Sequence, residues 1–447
     1  MNFPLHIGID DTDSIKAGCS TYIAAVLVEK LSKVATFLDY PNLIRLNPNV
    51  PWKTRGNAAL SIRVSINEKR IDPTIEDVID IVEEMSQMDS PRTDPGIVFL
   101  VGDVPLEFTS FALRTIQDIV SIKEARDLIR CSGAEAVGFK SGRGIIGALA
   151  AVGETLSGDH TFELIAYRTP DKRGQLRMVD TASIFKMDKE LSGLTFNNID
   201  YETNRVLLTP RGSDPVLLGI RGENPNAVKK AYKMIDIRED VERWVIFRTN
   251  QGTDAHLRRI ERIANIQHYR SVIVVGSVIS VPHYISGRHI IFSIEDESGQ
   301  IDCAAYEPTG RFRRVIGELI KGDKVEVHGG VRPESKKNPK TINLEKIRIV
   351  TLVSTTSIKN PVCSVCGKHM ESMGRGKGFR CKRCGLRAQD AEKVYIEAKR
   401  DIEEGFYIPP PRANRHLTKP MLRYGLEKIG VSLIPRDFWG LNISSDR

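Results

Sequence analysis

The 447-residue sequence has no run of about 18 or more apolar residues, the length that a membrane-spanning helix needs, so no membrane partner is expected. Its opening residues, MNFPLHIGIDDTDS, lack a basic region followed by an apolar stretch. That argues against secretion, and the cytoplasm is the expected location. The phosphate-loop pattern G-x-x-x-x-G-K-[ST] is absent, which excludes a P-loop enzyme. Cysteine is scarce, with 7 residues, too few and too unevenly spaced for a disulfide framework in a cytoplasmic chain. What is present is ordinary for a soluble globular protein, 41% hydrophobic and 27% charged residues, and the length implies three or four domains.

Residues 1–130 alternate strand and helix signals. Leu5 to Ile9 alternates as a strand and runs into Asp10-Asp11-Thr12-Asp13. Residues 21–35 carry helical apolar spacing, Ala58 to Ile66 reads as a strand, and Thr74 to Met88 as an acidic helix. Gly96 to Gly102 suits a buried strand, and Ser121-x-x-Glu124 is a capping box that opens a further helix. Residues 131–255 read as β-α-β-β-α-β, a ferredoxin-like unit: helix Gly144 to Glu154, strands Phe162 to Tyr167 and Val206 to Leu208, helix Ala227 to Ile235, strand Trp244 to Arg248. Residues 271–354 hold five strand-like runs with one helical pattern, Thr309 to Ile320, between the third and fourth. This is the order of an OB-fold, with a generic small barrel as the other reading. The expected fold class is thus multidomain α/β and α+β.

Four cysteines form Cys363-x2-Cys366 and Cys381-x2-Cys384, with Gly367 and Gly385 following each pair. Two such knuckles place four thiolates on one ion with no open position, so a structural zinc ribbon is expected over 359–390. Cys19, Cys131 and Cys303 read as small buried hydrophobes. Between Lys359 and Gly425, 15 Lys and Arg stand against 7 Asp and Glu, a difference of +8 that equals the net charge of the whole chain. A basic ribbon beside an OB-fold favours a nucleic-acid partner. In the C-terminal tail, 391–447, the stretch Pro409 to Lys419 is either an extended basic arm for an RNA backbone or a solvated linker.

Asp10, Asp11 and Asp13 fall just past a strand end, where α/β folds build ligand sites. Three carboxylates so close repel one another unless a cation joins them, and hard oxygen donors suit Mg²⁺ carrying nucleotide phosphates. Gly18-Cys19-Ser20-Thr21 leads into a helix whose N-terminus is suited to phosphate, although Ser20 or Thr21 would serve equally as an N-cap. Arg45-Leu-Asn47-Pro48 and Lys53-Thr54-Arg55-Gly56-Asn57 add cations and close backbone approach.

Taken in order, Gly8-Ile-Asp-Asp-Thr-Asp-Ser14, Gly18-Cys-Ser-Thr21, Arg45-Leu-Asn-Pro48, Thr54-Arg-Gly-Asn57, Gly142-Arg-Gly-Ile-Ile-Gly-Ala-Leu-Ala150 and Phe247-Arg-Thr-Asn-Gln-Gly-Thr-Asp-Ala-His256 closely resemble the archaeal 2-agmatinylcytidine synthetases acting on isoleucine tRNA. Pro-Pro-Pro-Arg412 with Arg415-His416-Leu417 resembles the family's C-terminal end. The resemblance spans nearly the whole chain. It implies a kinase-like ATP/Mg domain over 1–130 and an enzyme, a ligase, that uses ATP to join agmatine to C2 of the wobble cytidine in the CAU anticodon. It further implies Asp10, Asp11 and Asp13 as Mg²⁺-ATP and catalytic residues, Ser20 beside the transferred phosphate, and Gly8, Thr12, Thr21, Arg55, Gly56 and Asn57 around the nucleotide. Where the family has Cys-Thr-Thr this chain has Cys19-Ser20-Thr21, which keeps the hydroxyl and drops a methyl. The competing expectation is a non-catalytic OB and zinc-ribbon protein that binds single strands; it leaves the first 250 residues without a task.

Overall fold

The computed structural model describes residues 1–14, 18–53, 56–210, 212, 215–336, 338–354, 356–397, 399–430 and 434–441. Among them no helix is long and apolar enough to cross a membrane. The first elements are β1 (Asn2–Asp10), α1 (Ser20–Leu31), β2 (Ala35–Phe37), β3 (Asn42–Arg45), β4 (Ala58–Asn67), α2 (Ile71–Met85), β5 (Gly96–Val101), α3 (Leu106–Gln117), α4 (Ile122–Ser132), β6 (Glu135–Gly138) and α5 (Ile145–Gly153). Alternation sorts each central strand onto two covered faces. Leu5, Ile7 and Ile9 of β1 pack with α1 and α2, whereas Val98 and Leu100 of β5 pack with α3 and α5. α2 begins three residues ahead of the expected Thr74, with Pro73 in its first turn, a position where a missing N–H costs nothing.

α5 explains the geometry of the site above it. Its residues are small (Gly147, Ala148, Ala150, Ala151 and Gly153), so it lies close on the sheet. A Cβ on Gly8 would strike the Ala148 carbonyl, so Gly8 serves this close approach. Behind it, the buried Arg63 donates from Nη2 to Ala151 O at 3.1 Å, Val152 O at 3.0 Å and Glu154 O at 2.8 Å. The guanidinium thereby satisfies the helix C-terminus, where a cation is favoured.

The second group is β7 (Thr161–Arg168), α6 (Thr181–Glu190), β8 (Thr195–Phe196), β9 (Ile199–Asp200), β10 (Arg205–Val206), β11 (Val216–Gly222), α7 (Pro225–Met234) and β12 (Val241–Thr249). In space the order is β12-β7-β11-β8, each neighbour antiparallel, which is the split β-α-β arrangement. The helix and strand assignments inside it need correction. The first helix of the motif is α6, because the small-residue helix near 144–154 packs on β1, β4 and β5 instead. Val206 to Leu208 contributes only the short β10, paired with β9 off the main sheet, and β11 is the central strand. The two groups share one 11-stranded sheet: β3 runs parallel to β12, with Asn42 opposite Arg248.

Next come β13 (Leu257–Arg259), β14 (Ser271–Val278), β15 (His283–Ile285), β16 (His289–Asp296), β17 (Gly299–Ala305), α8 (Phe312–Gly317), β18 (Lys324–Arg332) and β19 (Thr341–Thr351). Pairing β14 to β16 and to β18 closes the barrel β14-β16-β17-β19-β18, the OB order. α8 is shorter than the 309–320 pattern suggests. The ribbon comprises β20 (Thr356–Lys359), β21 (Glu371–Ser372), β22 (Phe379–Arg380), β23 (Arg387–Ala388) and β24 (Val394–Glu397); β25 (Gly405–Tyr407) joins β19, and β26 (Trp439–Leu441) joins β12.

The stretch 409–419 is neither solvated nor a free arm, because its cations are paired with other groups of the chain, most of them distant in sequence. Arg412 meets Asp200 and Glu202, Arg415 meets Asn49 and Glu345, and Lys419 meets Asp159 and Glu427. Main-chain bonds from Gly252 N to His416 O (2.9 Å) and Asp254 N to Leu417 O (2.8 Å) fix it as a strap across the sheet and the barrel. Of the three scattered cysteines, Cys303 is buried, Cys19 is half-buried at the site described next, and Cys131 is exposed on α4, contrary to its expected burial.

Candidate active site and zinc centre

A cavity of about 450 Å³ opens where β1, α1, β4 and α5 meet β7, β11 and the C-terminal strap. Its acidic end carries Asp10, Asp11 and Asp13. The Asp11 amide donates to Asp10 Oδ1 at 2.7 Å, folding the turn so that both carboxylates face the N-terminal end of α5. Asp11 holds a φ of 57°, a conformation that Asp tolerates better than most residues. Burial first, then the neighbouring Asp11 charge, pushes the Asp10 carboxyl well above the usual carboxylate range. Burial also raises Asp11, against the opposing hydrogen bond and charge of Arg143. A Cβ on Gly147 would collide with the Asp10 carboxylate, so the glycine leaves α5 room to close on it.

The other end is cationic. Ser20 and Thr21 open α1, a 12-residue helix with its N-terminus toward the cavity. Thr12 Oγ1 donates to Ser20 Oγ at 2.9 Å, which leaves the Ser20 hydroxyl hydrogen to donate elsewhere. Arg45, Lys53 and Arg221 line this end with Gly56 and Asn57. Asn57, at φ 50°, donates from Nδ2 to Asn47 O at 2.8 Å and so ties the two loop motifs together. Burial lowers Arg45 to about 10, still cationic at neutral pH. Arg221 donates from Nε to Glu163 Oε1 at 3.2 Å, and Gln251 donates to the other Glu163 oxygen.

Of the residues singled out from sequence, Asp10, Asp11, Asp13, Ser20, Thr21, Gly56 and Asn57 come together in this cavity. Gly8 and Thr12 do not line it: one packs under α5 and the other is buried, holding Ser20. Arg55 lies outside the described residues. Sequence reasoning passed over Glu163 and Arg221, and it held Arg143 and His416 only as parts of motifs, without a role of their own. Glu163 had a signal, since it is the one carboxylate in the otherwise apolar run Phe162 to Tyr167.

In the ribbon, the Cys363 and Cys384 sulfurs lie 3.4 Å apart, as do those of Cys366 and Cys381, and all four fall within 4.8 Å of one another. Each knuckle closes through a glycine N–H, Gly367 to Cys363 O and Gly385 to Cys381 O, both at 2.9 Å. Four soft sulfurs converging with no fifth donor among the described residues fit a tetrahedral zinc ion, which here would be structural.

An α/β cavity with an acidic and a cationic end, joined to an OB barrel and a zinc ribbon, defines a multidomain RNA-directed enzyme. The comparisons specify which kind. Residues 6–141 match the TiaS TCKD domain, 142–256 the TiaS FLD domain, 272–350 the OB-fold nucleic acid binding domain and 360–402 the TiaS C-terminal zinc ribbon domain. The chain belongs to the TiaS family, the 2-agmatinylcytidine synthetases of isoleucine tRNA. It is 42% identical to the Methanosarcina mazei synthetase, covering 93% of this chain and 97% of that one, and 43% identical to the Pyrococcus horikoshii synthetase, covering 94% and 97%. The solved apo TiaS structure superposes with a TM-score of 0.86 at 42% identity over 94% of this chain and 97% of that one. A TiaS complex with isoleucine tRNA, AMPCPP and agmatine gives 0.82 at 39% identity, over 97% and 100%. The non-catalytic single-strand binding alternative is not favoured.

Proposed function

We propose that this chain uses ATP to conjugate agmatine to the wobble cytidine of the isoleucine tRNA with the CAU anticodon, giving 2-agmatinylcytidine. The observation that carries the reading is the meeting, in one cavity, of three carboxylates with a helix N-terminus, a serine hydroxyl and three cations. The C2 carbonyl of cytosine is urea-like, and its oxygen is a poor leaving group. Transfer of a phosphoryl group from ATP to that oxygen turns it into a phosphate ester. The primary amine of agmatine then adds at C2, phosphate departs with the former carbonyl oxygen, and the attacking nitrogen gives up its proton. The cytidine must leave the anticodon stack to be reached.

In this arrangement Arg45, Lys53 and Arg221 hold phosphate oxygens, and Ser20 sits beside the group being transferred. Asp11, fixed by Arg143, orients the acidic end. Asp10, which burial makes a stronger base than an ordinary carboxylate, is suited in its ionised form to accept the amine proton. The donor set also fits Mg²⁺: hard oxygens from Asp10, Asp11 and Asp13 converge with two carboxyls destabilised in their charged forms. Bound there, Mg²⁺ would neutralise phosphate charge. The division of labour follows the domain limits read from sequence. Residues 1–130 and 131–255 enclose the reaction, and 271–354, 359–390 and the tail 391–447 hold the tRNA in the cytoplasm. Incubation with ATP, Mg²⁺, agmatine and a CAU transcript, followed by mass spectrometry of the anticodon fragment, tests the reading. A gain of agmatine minus water on the cytidine supports it, and an unchanged mass with tRNA bound rejects it.

A further inference from the structure

The C-terminal strap inserts one side chain, His416, into the cationic end of the cavity. Its Nδ1 lies 3.1 Å from Arg221 Nη2. A guanidinium can only donate, so Nδ1 accepts and the ring proton sits on Nε2. On its other side the ring borders the Gly56 loop and Arg45. A Cβ built on Gly56 would lie 3.2 Å from His416 Nε2 and Cδ2, and 2.6 Å from Arg45 Nη1. His416 therefore stands between two guanidiniums that both face the cavity. Arg45 Nε is buried with no hydrogen-bond partner among the described residues, and Arg221 is restrained from behind by Glu163.

Two like charges held this close drift apart unless something keeps them aimed at a common anion. A third cation between them would add repulsion. Glu163 already supplies one carboxylate behind Arg221 and near Arg45, and a second in place of the ring would quench both cations and compete with phosphate. A neutral ring that accepts from one guanidinium and wedges against the other avoids both faults. The ring is open to the cavity, and the charges around it keep it neutral: Arg45 foremost, with Arg221 adding to it, holds His416 well below the usual histidine range.

We propose that His416 is a positioning residue for ATP, holding Arg45 and Arg221 convergent on the nucleotide phosphates, and that the strap from Arg412 to Lys428 is therefore part of the active site. The strap is built to deliver it. Thr418 Oγ1 donates to Glu345 Oε2 at 2.9 Å, Lys419 N donates to Asp254 Oδ1 at 2.8 Å, and the buried Arg423 anchors on Asp159 and Glu223. The ring thus acts through the arginines rather than on the reacting atoms.

The inference rests on the cavity binding ATP, and the test separates the two. The steady-state KM for ATP, kcat and the tRNA Kd are measured for the full-length enzyme and for His416→Asn, His416→Leu and His416→Asp. Asparagine keeps an acceptor near Nδ1, leucine removes it, and aspartate accepts but neutralises the pair. The leucine and aspartate variants should raise the KM for ATP by about tenfold or more at unchanged tRNA Kd, with asparagine within about threefold of wild type. In a cycle with Arg221→Lys, the double variant His416→Leu/Arg221→Lys should be little worse than the worse single one. A leucine variant at wild-type KM, an asparagine variant as impaired as leucine, or a parallel loss of tRNA binding would each overturn the proposal. If the leucine variant does not fold, the aspartate variant decides alone: a raised KM supports the positioning role and an unchanged one rejects it. A wild-type enzyme with no dependence on ATP would instead reject the reading of the cavity.

Discussion

Arg143 donates from both Nε (3.1 Å) and Nη2 (2.6 Å) to a single oxygen, Oδ2 of Asp11. The same guanidinium stands 3.5 Å from Asp94 and donates to Arg92 O at 2.7 Å, so it binds the acidic turn to the loop before β5. Among the described residues no cation bonds Asp10 in this way, and the two carboxylates are unequal by construction. Arg143 draws Asp11 back toward its ionised form, and Asp10 is biased toward its protonated one.

That inequality sets a pH dependence. Asp10 and Asp11 are raised in the folded protein relative to the unfolded chain, so the native state binds more protons between the ordinary carboxylate range and the raised values. Stability from these groups is greatest below that window and is lost as pH rises through it. Measured against an Asp10→Asn variant, so that the buried histidines cancel, the metal-free enzyme should therefore gain melting temperature as pH falls from neutral toward the ordinary carboxylate range, and Mg²⁺ should flatten that difference. Asp10→Asn should raise the melting temperature of the metal-free protein at neutral pH and abolish turnover. Calorimetry across pH with and without Mg²⁺ checks both, and a flat metal-free difference would reject the inequality.

Ser20 gives a sharper chemical test. Ser20→Ala removes the hydroxyl that accepts from Thr12 and should lower the rate of agmatine-dependent mass gain by roughly 10²-fold or more. Ser20→Thr restores the family's residue and should stay within about threefold of wild type. If alanine is as active as serine, the hydroxyl has no part in the chemistry.

The ribbon should bind one zinc through its four sulfurs. Cys363→Ser with Cys366→Ser should release the metal and weaken tRNA binding by roughly tenfold, with a shallower salt dependence, because Lys368, Arg375 and Arg383 lose their common scaffold. Metal analysis with filter binding at two salt concentrations measures this. Unchanged binding would reduce the ribbon to a support for the barrel.

Arg423 is 1% exposed and pairs with Asp159 at 2.8 Å and with Glu223. Arg423→Ala leaves Asp159 with Lys419 and Glu223 with Lys428 as their remaining cations and should cost about 1–3 kcal/mol, read as a lowered melting temperature. Burial alone would raise Asp159, but the hydrogen bonds and charge of Arg423 outweigh it and hold this carboxyl below its ordinary value. Its stabilisation is therefore present above the ordinary carboxylate range and lost as pH falls through the lowered value. Acid should loosen the strap at lower pH than the range in which it relaxes the Asp10 turn.

Much of this molecule was legible in the chain. Period-two and period-3.6 patterns located β1, α1, β4, β5 and the five barrel strands, because burial on a sheet or helix face imposes those periods wherever they occur. The Asp10-to-Asp13 turn, Ser20 and the four cysteines could be singled out because their chemistry depends on neighbours within a few residues. What the sequence left open depends on contacts between distant segments. The small-residue helix 145–153 has apolar residues on all sides and no stripe to say which sheet face it covers; only its fit against Gly8 and Asp10 settles that. Glu163, Arg221 and His416 lie on three separate elements, and although Glu163 interrupts an apolar run, nothing local to any of them shows that the three meet at the cationic end of the cavity. The basic tail offered the clearest contrast: its charges suggested a partner outside the chain, but Asp200, Glu345, Asp159 and Glu223 neutralise much of that charge from positions up to 264 residues away. Local chemistry was written in the sequence, whereas the pairing of remote charges required the tertiary structure, because Coulomb attraction depends on distance in space and not on separation along the chain.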